Sequence, residues 1–169
     1  MRTVIIAGSA RTNGDTQKLA DSLCEKTGWD TLSLCAYTIL PYDYSHANST
    51  DDFLPLITKV IEQYDIIIFA TPVYWYSMSG IMKIFFDRFT DLLTVNKDLG
   101  RMLRGKKTAT VSSSEGDNLG DDFWLPFTAT ANYLGMQYLG SMHSIANAPN
   151  EKNLNAFIAK ITTTQAKFV

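Results

Sequence analysis

The sequence offers little to a metal, a membrane or a nucleic acid. Two cysteines and two histidines occur in 169 residues, and Cys24 and Cys35 stand in no metal-ligand spacing. Two such thiols suit burial in a reducing compartment, so a cytoplasmic protein is expected. No apolar run approaches the roughly 20 residues that cross a bilayer. The stretch Met1–Gly8 is apolar for too few residues to form a signal-peptide core and reads as a strand instead. Fifteen Lys and Arg against 17 Asp and Glu leave a net charge of -2, which excludes a polyanion binder that relies on a basic surplus. The Gly-x-Gly-x-x-Gly dinucleotide fingerprint and the Gly-Lys-Ser/Thr ending of a Walker loop are missing. So are internal repeats, low-complexity tracts and interdomain linkers.

What is present is a core. Hydrophobic residues make up 46% of the chain, and the length suits one domain over residues 1–169. Apolar strand-like runs alternate with amphipathic stretches. Strands are predicted at Thr3–Ala7, Thr31–Cys35, Ile66–Ala70, Lys107–Val111 and Met136–Ile145. Helices are predicted at Asp15–Lys26, Asp51–Gln63, Ser79–Leu93, Asp121–Leu134 and Asn153–Lys167. The turn-rich stretch Tyr37–Thr50 reads as a loop. Ile66-Ile67-Ile68-Phe69-Ala70 has no polar face, which places it in a parallel sheet covered on both sides. The pattern is that of an α/β doubly wound five-stranded parallel sheet. In the order 2-1-3-4-5 the chemistry belongs where the order reverses, after strands 1 and 3.

Three unusual loops leave that edge. Gly8-Ser9-Ala10-Arg11-Thr12-Asn13-Gly14-Asp15-Thr16 is small and hydroxylated and precedes a helix, so its amides and the helix dipole can hold an anion. Ser9 and Thr16 add hydroxyls and Arg11 a charge. A phosphate monoester fits better than a triphosphate or pyrophosphate. Asp15 opposes an anion unless it points away or caps the helix. Thr71-Pro72-Val73-Tyr74-Trp75-Tyr76-Ser77-Met78-Ser79-Gly80 carries three consecutive aromatics, which suit a flat ligand or a subunit interface. Ser77 or Ser79 can cap the following helix. Ser112 to Gly120 is rich in small residues that permit close approach to a ring.

The first two loops, with Met82-Lys83-Ile84-Phe85-Phe86-Asp87-Arg88-Phe89 after them, resemble the NAD(P)H-dependent FMN reductases, a flavodoxin-like group. The resemblance implies the order 2-1-3-4-5, bound FMN, and NADPH or NADH as donor. It implies phosphate contacts from Ser9, Arg11, Asn13, Asp15, Thr16 and Gln17. It places Pro72, Val73, Tyr74 and Trp75 along the isoalloxazine, with Ser112, Ser113, Ser114 and Gly116 on its other flank. Relatives often carry Asn where Asp15 stands. The cysteine cluster of the iron-sulfur flavoprotein branch is missing between Tyr42 and Asp52.

The implied activity is transfer of electrons from NAD(P)H through flavin to a small acceptor, such as a flavin or quinone, in a ping-pong scheme. The cofactor supplies the reactivity, so no catalytic side chain is assigned. His143, inside a strand, reads as structural and His46 as solvated. Two other functions fit the same fold. A flavodoxin-type electron carrier would be more acidic than this chain, and a binding or regulatory protein would be colourless when purified. The aromatic loop, with Ile81, Phe85 and Phe89 on one helix face and Met82 and Phe86 widening it, offers more apolar surface than the sheet needs. A homodimer with the flavin near its boundary is therefore expected, with neither nucleic acid nor membrane as a partner.

Overall fold

Every side chain of Ile66–Pro72 is buried, and so is every one of Thr3–Ala7. Alternate residues of a strand point to opposite faces, so two such strands require cover on both sides. The computed structural model, which describes residues 1–117, 119–146, 148 and 150–166, provides it. The elements run β1 (Thr3–Ala7), α1 (Asp15–Thr27), β2 (Asp30–Ser33), α2 (Phe53–Gln63), β3 (Ile66–Pro72) and α3 (Gly80–Asp87). They continue with α4 (Asp91–Thr94), α5 (Lys97–Arg101), β4 (Lys107–Ser114), α6 (Leu125–Tyr133), β5 (Gln137–Ile145) and α7 (Glu151–Ala166). Asn118 of the third loop and Lys167, the expected end of the last helix, lie outside the described residues.

The five strands stand in the order β2-β1-β3-β4-β5 and every pairing is parallel. Val4, Ile6, Ile67 and Phe69 pack under α2, α3 and α6. Ile5, Ala7, Ile66, Ile68 and Ala70 pack on the other face under α1 and α7. The chain leaves β1 toward one edge and β3 toward the other, so a crevice opens between their carboxyl ends. Among the described residues no helix is long and apolar enough to cross a membrane.

Several expectations need correction. The fourth strand extends past Val111 to Ser114, because Ser112, Ser113 and Ser114 pair in register with His143, Ser144 and Ile145. The helix predicted over Ser79–Leu93 breaks into α3, a short turn at Arg88–Thr90, and α4. Its apolar face is not surplus. Met82 and Phe85 are fully buried, and Phe69, Phe86, Phe89 and Phe127 stack edge to face around them. Cys35 is exposed and Cys24 half-buried, so only partial burial of the thiols is realised.

The loop at 37–52 is fastened from below. Arg88, 1% exposed, donates to Asp91 Oδ2 at 2.7 Å, to the Leu40 carbonyl at 3.0 Å and to Asp51. Burial alone would raise the Asp51 carboxyl, but the bonds from Arg88 and from the Leu40 and Phe53 amides outweigh it and hold it below its usual range. His46 is not simply solvated: its Nδ1 lies 3.6 Å from Asp91 Oδ1.

Candidate functional site

The crevice is built from three chain segments that are bonded to one another. The Gly8 amide donates to the Ala70 carbonyl at 2.8 Å, tying the end of β1 to β3. A Cβ on Gly8 would lie 2.8 Å from Met82 Cβ, so only glycine lets α3 approach this closely. Ser79 caps α3 by accepting from the Met82 amide at 3.1 Å, and its hydroxyl donates to the Gly8 carbonyl. Thr16 and Ser113 share a buried hydroxyl bond of 2.7 Å, and the Val73 amide donates to the Ser113 carbonyl at 2.9 Å.

Two adjoining hollows of about 360 and 210 Å³ open there. They share Val73 and Ser114, and their joint size is that of a small-molecule site. The larger, polar one is lined by Ser9, Arg11, Thr16 and Ser113, with Glu115 at its side. Gly14 caps α1 without offering a side chain, so the first amides of the helix keep their donors for an outside acceptor. A Cβ on Gly14 would come 3.2 Å from Arg11 Cβ and crowd the turn. Ser9 shapes this turn: its hydroxyl donates to the Arg11 carbonyl and accepts from the Arg11 amide, both at 3.1 Å. Asp15 neither caps the helix nor opposes an anion alone, because Lys18 pairs with it at 3.2 Å. Free helix amides, Arg11 and a glycine-lined turn fit a phosphate monoester.

The second hollow is lined by Val73, Trp75, Tyr76, Ser114, Gly116 and Leu119. Its aromatic wall is a tight two-residue turn. The Tyr74 amide donates to the Ser77 carbonyl at 2.9 Å and the Ser77 amide to the Tyr74 carbonyl at 3.0 Å. Trp75 and Tyr76, at its corner, have φ of 49° and 61°. Turns of this kind normally hold Asn or Gly, since bulky residues are strained at positive φ. Trp75 is 96% exposed, so burial of its side chain does not offset that strain, and the two main-chain bonds hold the turn.

Ser9, Arg11, Asp15, Thr16, Pro72, Val73, Tyr74, Ser113 and Ser114 thus meet at one hollow, with Trp75 and Gly116 at the next. Three expected residues line neither hollow. Asn13 is exposed, and Gln17 donates along the helix to Asp21 at 2.9 Å. Ser112 is fully buried and turned to the opposite sheet face, toward His143.

Sequence reasoning missed what His143 does. A bulge at Gly140 shifts the β4–β5 register, so Leu139 and Met142 both face α7 and His143 turns the other way. His143 Nδ1 lies 2.8 Å from Ser112 Oγ, and Nε2 lies 3.0 Å from Ser114 Oγ. Ser114 Oγ donates to the Gly116 carbonyl at 2.8 Å. One neutral tautomer satisfies the set, with Nδ1 accepting from Ser112 and Nε2–H donating to Ser114. The histidine therefore braces the loop that forms one wall of the second hollow. A glycine inside the predicted strand was the available signal.

Comparison with known proteins agrees with this geometry. The family described as NADPH-dependent FMN reductase matches residues 1–150. Bacillus subtilis YwqN, named as an NAD(P)H-dependent FMN-containing oxidoreductase, is 30% identical over 162 residues, 89% of this chain and 88% of that one. Among solved structures, the fold is shared with a WrbA-like flavodoxin of Agrobacterium tumefaciens (TM-score 0.70, 16% identity, 99% of both chains). It is shared too with general stress protein 14 of Treponema denticola, solved with FMN (TM-score 0.63, 19% identity, 98% of this chain and 99% of that one). The chain belongs to the NADPH-dependent FMN reductase family, as an oxidoreductase that uses FMN and draws electrons from NAD(P)H.

Proposed function

We propose that this single domain holds one FMN across the two hollows and passes electrons from a reduced nicotinamide to a small acceptor. The observation that carries the reading is the junction of an uncapped helix amino end beside Arg11 with an aromatic hollow. Arg11 and the first amides of α1 bind the phosphate, and Ser9 keeps the turn in the required shape. Thr16 and Ser113 lock the phosphate loop to β4. Val73, Tyr74 and Trp75 line one flank of the ring, and Ser114 and Gly116, braced by His143, line the other. FMN bound in this way supplies the two-electron chemistry.

The chain's own part is to hold the ring with one face accessible. Donor and acceptor then use that face in turn, which is a ping-pong scheme, and a flavin or quinone has the flat shape it requires. Tyr74, Trp75 and Tyr76 stand in solvent at one rim of this face. A second subunit seated on them completes the site, so the active form is a homodimer. The two free thiols suit a cytoplasmic setting. Anaerobic mixing of the FMN-loaded protein with NADH or NADPH tests the scheme. The flavin absorbance bleaches and then returns on adding a quinone, and steady-state double-reciprocal lines are parallel. Intersecting lines would refute the shared face, and a purified protein that is colourless and retains no added FMN would refute the whole reading.

A further inference from the structure

Between Asp122 and Glu151 the chain has no Asp, Glu, Lys or Arg, and this stretch contains α6 and the edge strand β5. A helix on the outside of a domain ordinarily turns charged residues to water. The outer face of α6 instead shows Leu125, Pro126, Ala129, Asn132 and Tyr133, all exposed, while Phe127 and Ala131 are buried on its inner face. Leu125 and Tyr133 are 62% and 77% exposed. With Ala129 between them they recur at every fourth residue and form one stripe, a large side chain at each end and a small one in the middle. Leu93, also exposed, shares a hollow with Tyr133 and extends the apolar surface.

The charges missing from α6 stand at its two ends, with opposite signs. Asp121 and Asp122 occupy the turn that leads into the helix, and both are exposed. Lys97, Arg101 and Arg104 line a hollow of about 180 Å³ at the other end, together with Tyr133 and Leu134. Arg104 runs beside the chain just past the helix, where a Cβ on Gly135 would lie 3.1 Å from Arg104 Cγ. Arg101 is taken by Asp98. Asp121, Asp122, Lys97 and Arg104 have no ion pair among the described residues.

A surface with these features is complementary to itself. Two copies of α6 packed antiparallel about a two-fold axis at Ala129 seat Leu125 of each against Tyr133 of the other, and the small central residue lets the helices approach. The acidic end of each then meets the basic end of the other. Parallel packing would set like charges side by side. The other uncharged element, β5, is closed to pairing along its edge. The bulge at Gly140, with φ 136°, interrupts that edge, and a Cβ on Gly140 would lie 2.6 Å from Lys160 Nζ. We infer that the outer face of α6 is the contact between two copies of this chain, gripped at each end by Asp121 and Asp122 against Lys97 and Arg104. The homodimer proposed above, on which this assignment rests, is thereby given a defined face. Leu119, which lines the aromatic hollow with Trp75 and Tyr76, stands just ahead of Asp121, so the contact begins at the rim of the crevice.

Sedimentation of the full chain at micromolar concentration and low ionic strength tests this, with circular dichroism checking that each variant folds. Asp121→Lys/Asp122→Lys and Lys97→Glu/Arg104→Glu each place like charges at both ends of the contact, and each is expected to weaken the dimer on the order of tenfold or more. Mixed in equal amounts, the two variants again present opposite charges at both ends. The mixed dimer is expected to return to within about threefold of the unaltered one. High salt weakens the unaltered dimer and relieves the variants. Ala129→Glu, which sets two carboxylates at the axis, gives a monomer. Variants that sediment as the unaltered dimer does, or a mixture that stays monomeric, would overturn the α6 contact. A dimer indifferent to all of these changes but broken by Trp75→Ala would overturn it too, and would leave the aromatic turn as the seat of the second subunit. A clean monomer of the unaltered protein would strike the dimer itself.

Discussion

In the loop after β1, Ser9 and Thr16 are nearly inaccessible, and both of their hydroxyls already have partners within the chain. In the loop after β3, Trp75 is 96% exposed, and it and Tyr76 occupy a backbone region that bulky residues rarely adopt. Both loops reach the same crevice. On the proposed function the first is a preassembled receptor for a group of fixed shape and charge, with its Ser9 and Thr16 hydroxyls satisfied before any ligand arrives and the first amides of α1 left for that ligand. The second is held by two main-chain bonds across its turn, and it stores strain of about 1–2 kcal/mol per residue at positive φ. On the proposed function the contrast separates two tasks. Anchoring a phosphate rewards rigidity, whereas a flat surface shared by donor, acceptor and a second subunit has to stand clear of the fold.

Disabling the loop after β1 is expected to have the largest effect. Arg11→Ala combined with Ser9→Ala is expected to weaken FMN on the order of a hundredfold, since a charge-assisted bond and the shape of the turn are lost together. Riboflavin, which lacks the phosphate, is expected to change little. Fluorescence titration of both flavins checks this, and equal losses would show that the loop does not bind phosphate.

The next effect is on stability. Ser113→Ala leaves the buried Thr16 hydroxyl without its partner and is expected to cost about 1–3 kcal/mol in denaturant unfolding. The pair Thr16→Val/Ser113→Ala is expected to cost less than the sum of the two single changes. Strict additivity would mean that the 2.7 Å bond does not couple the loops.

The aromatic turn is expected to respond in the opposite direction. Trp75→Gly relieves a strained position at φ 49° and is expected to leave the unfolding midpoint unchanged or raise stability by about 1 kcal/mol. The same substitution is expected to slow nicotinamide-dependent flavin reduction and shift sedimentation toward monomer. A marked loss of stability would show that the turn is tied to the fold like its counterpart.

The smallest effect is expected at Asp15. Its carboxylate is engaged by Lys18, so Asp15→Asn is expected to leave FMN affinity within about threefold, on the stronger side if it moves. A large loss on titration would mean that the carboxylate itself takes part in the site.

The fold was legible because its strongest signals are local. The run at Ile66–Ala70 could only be a strand covered on both faces, and Gly8 marks where β1 ends. What stayed hidden depends on partners distant in sequence. Ser112, Ser113 and Ser114 read as a polar loop, yet they extend a strand because His143 and Thr16 satisfy their hydroxyls across 29–97 residues. The positive φ of Trp75 and Tyr76 was invisible because residue type argues against it. The apolar face of α3 looked surplus because a sequence does not show how many aromatics converge on Phe69 and Phe85. Asp15 was different: the three-residue spacing to Lys18 was available and would have resolved its role.

The most direct test of the central claim, that the loop after β1 is a phosphate anchor for a flavin, is to titrate the unaltered protein with FMN and with riboflavin under identical conditions. FMN is expected to bind at about one per chain and at least tenfold tighter than riboflavin. Equal affinity for the two flavins would contradict it.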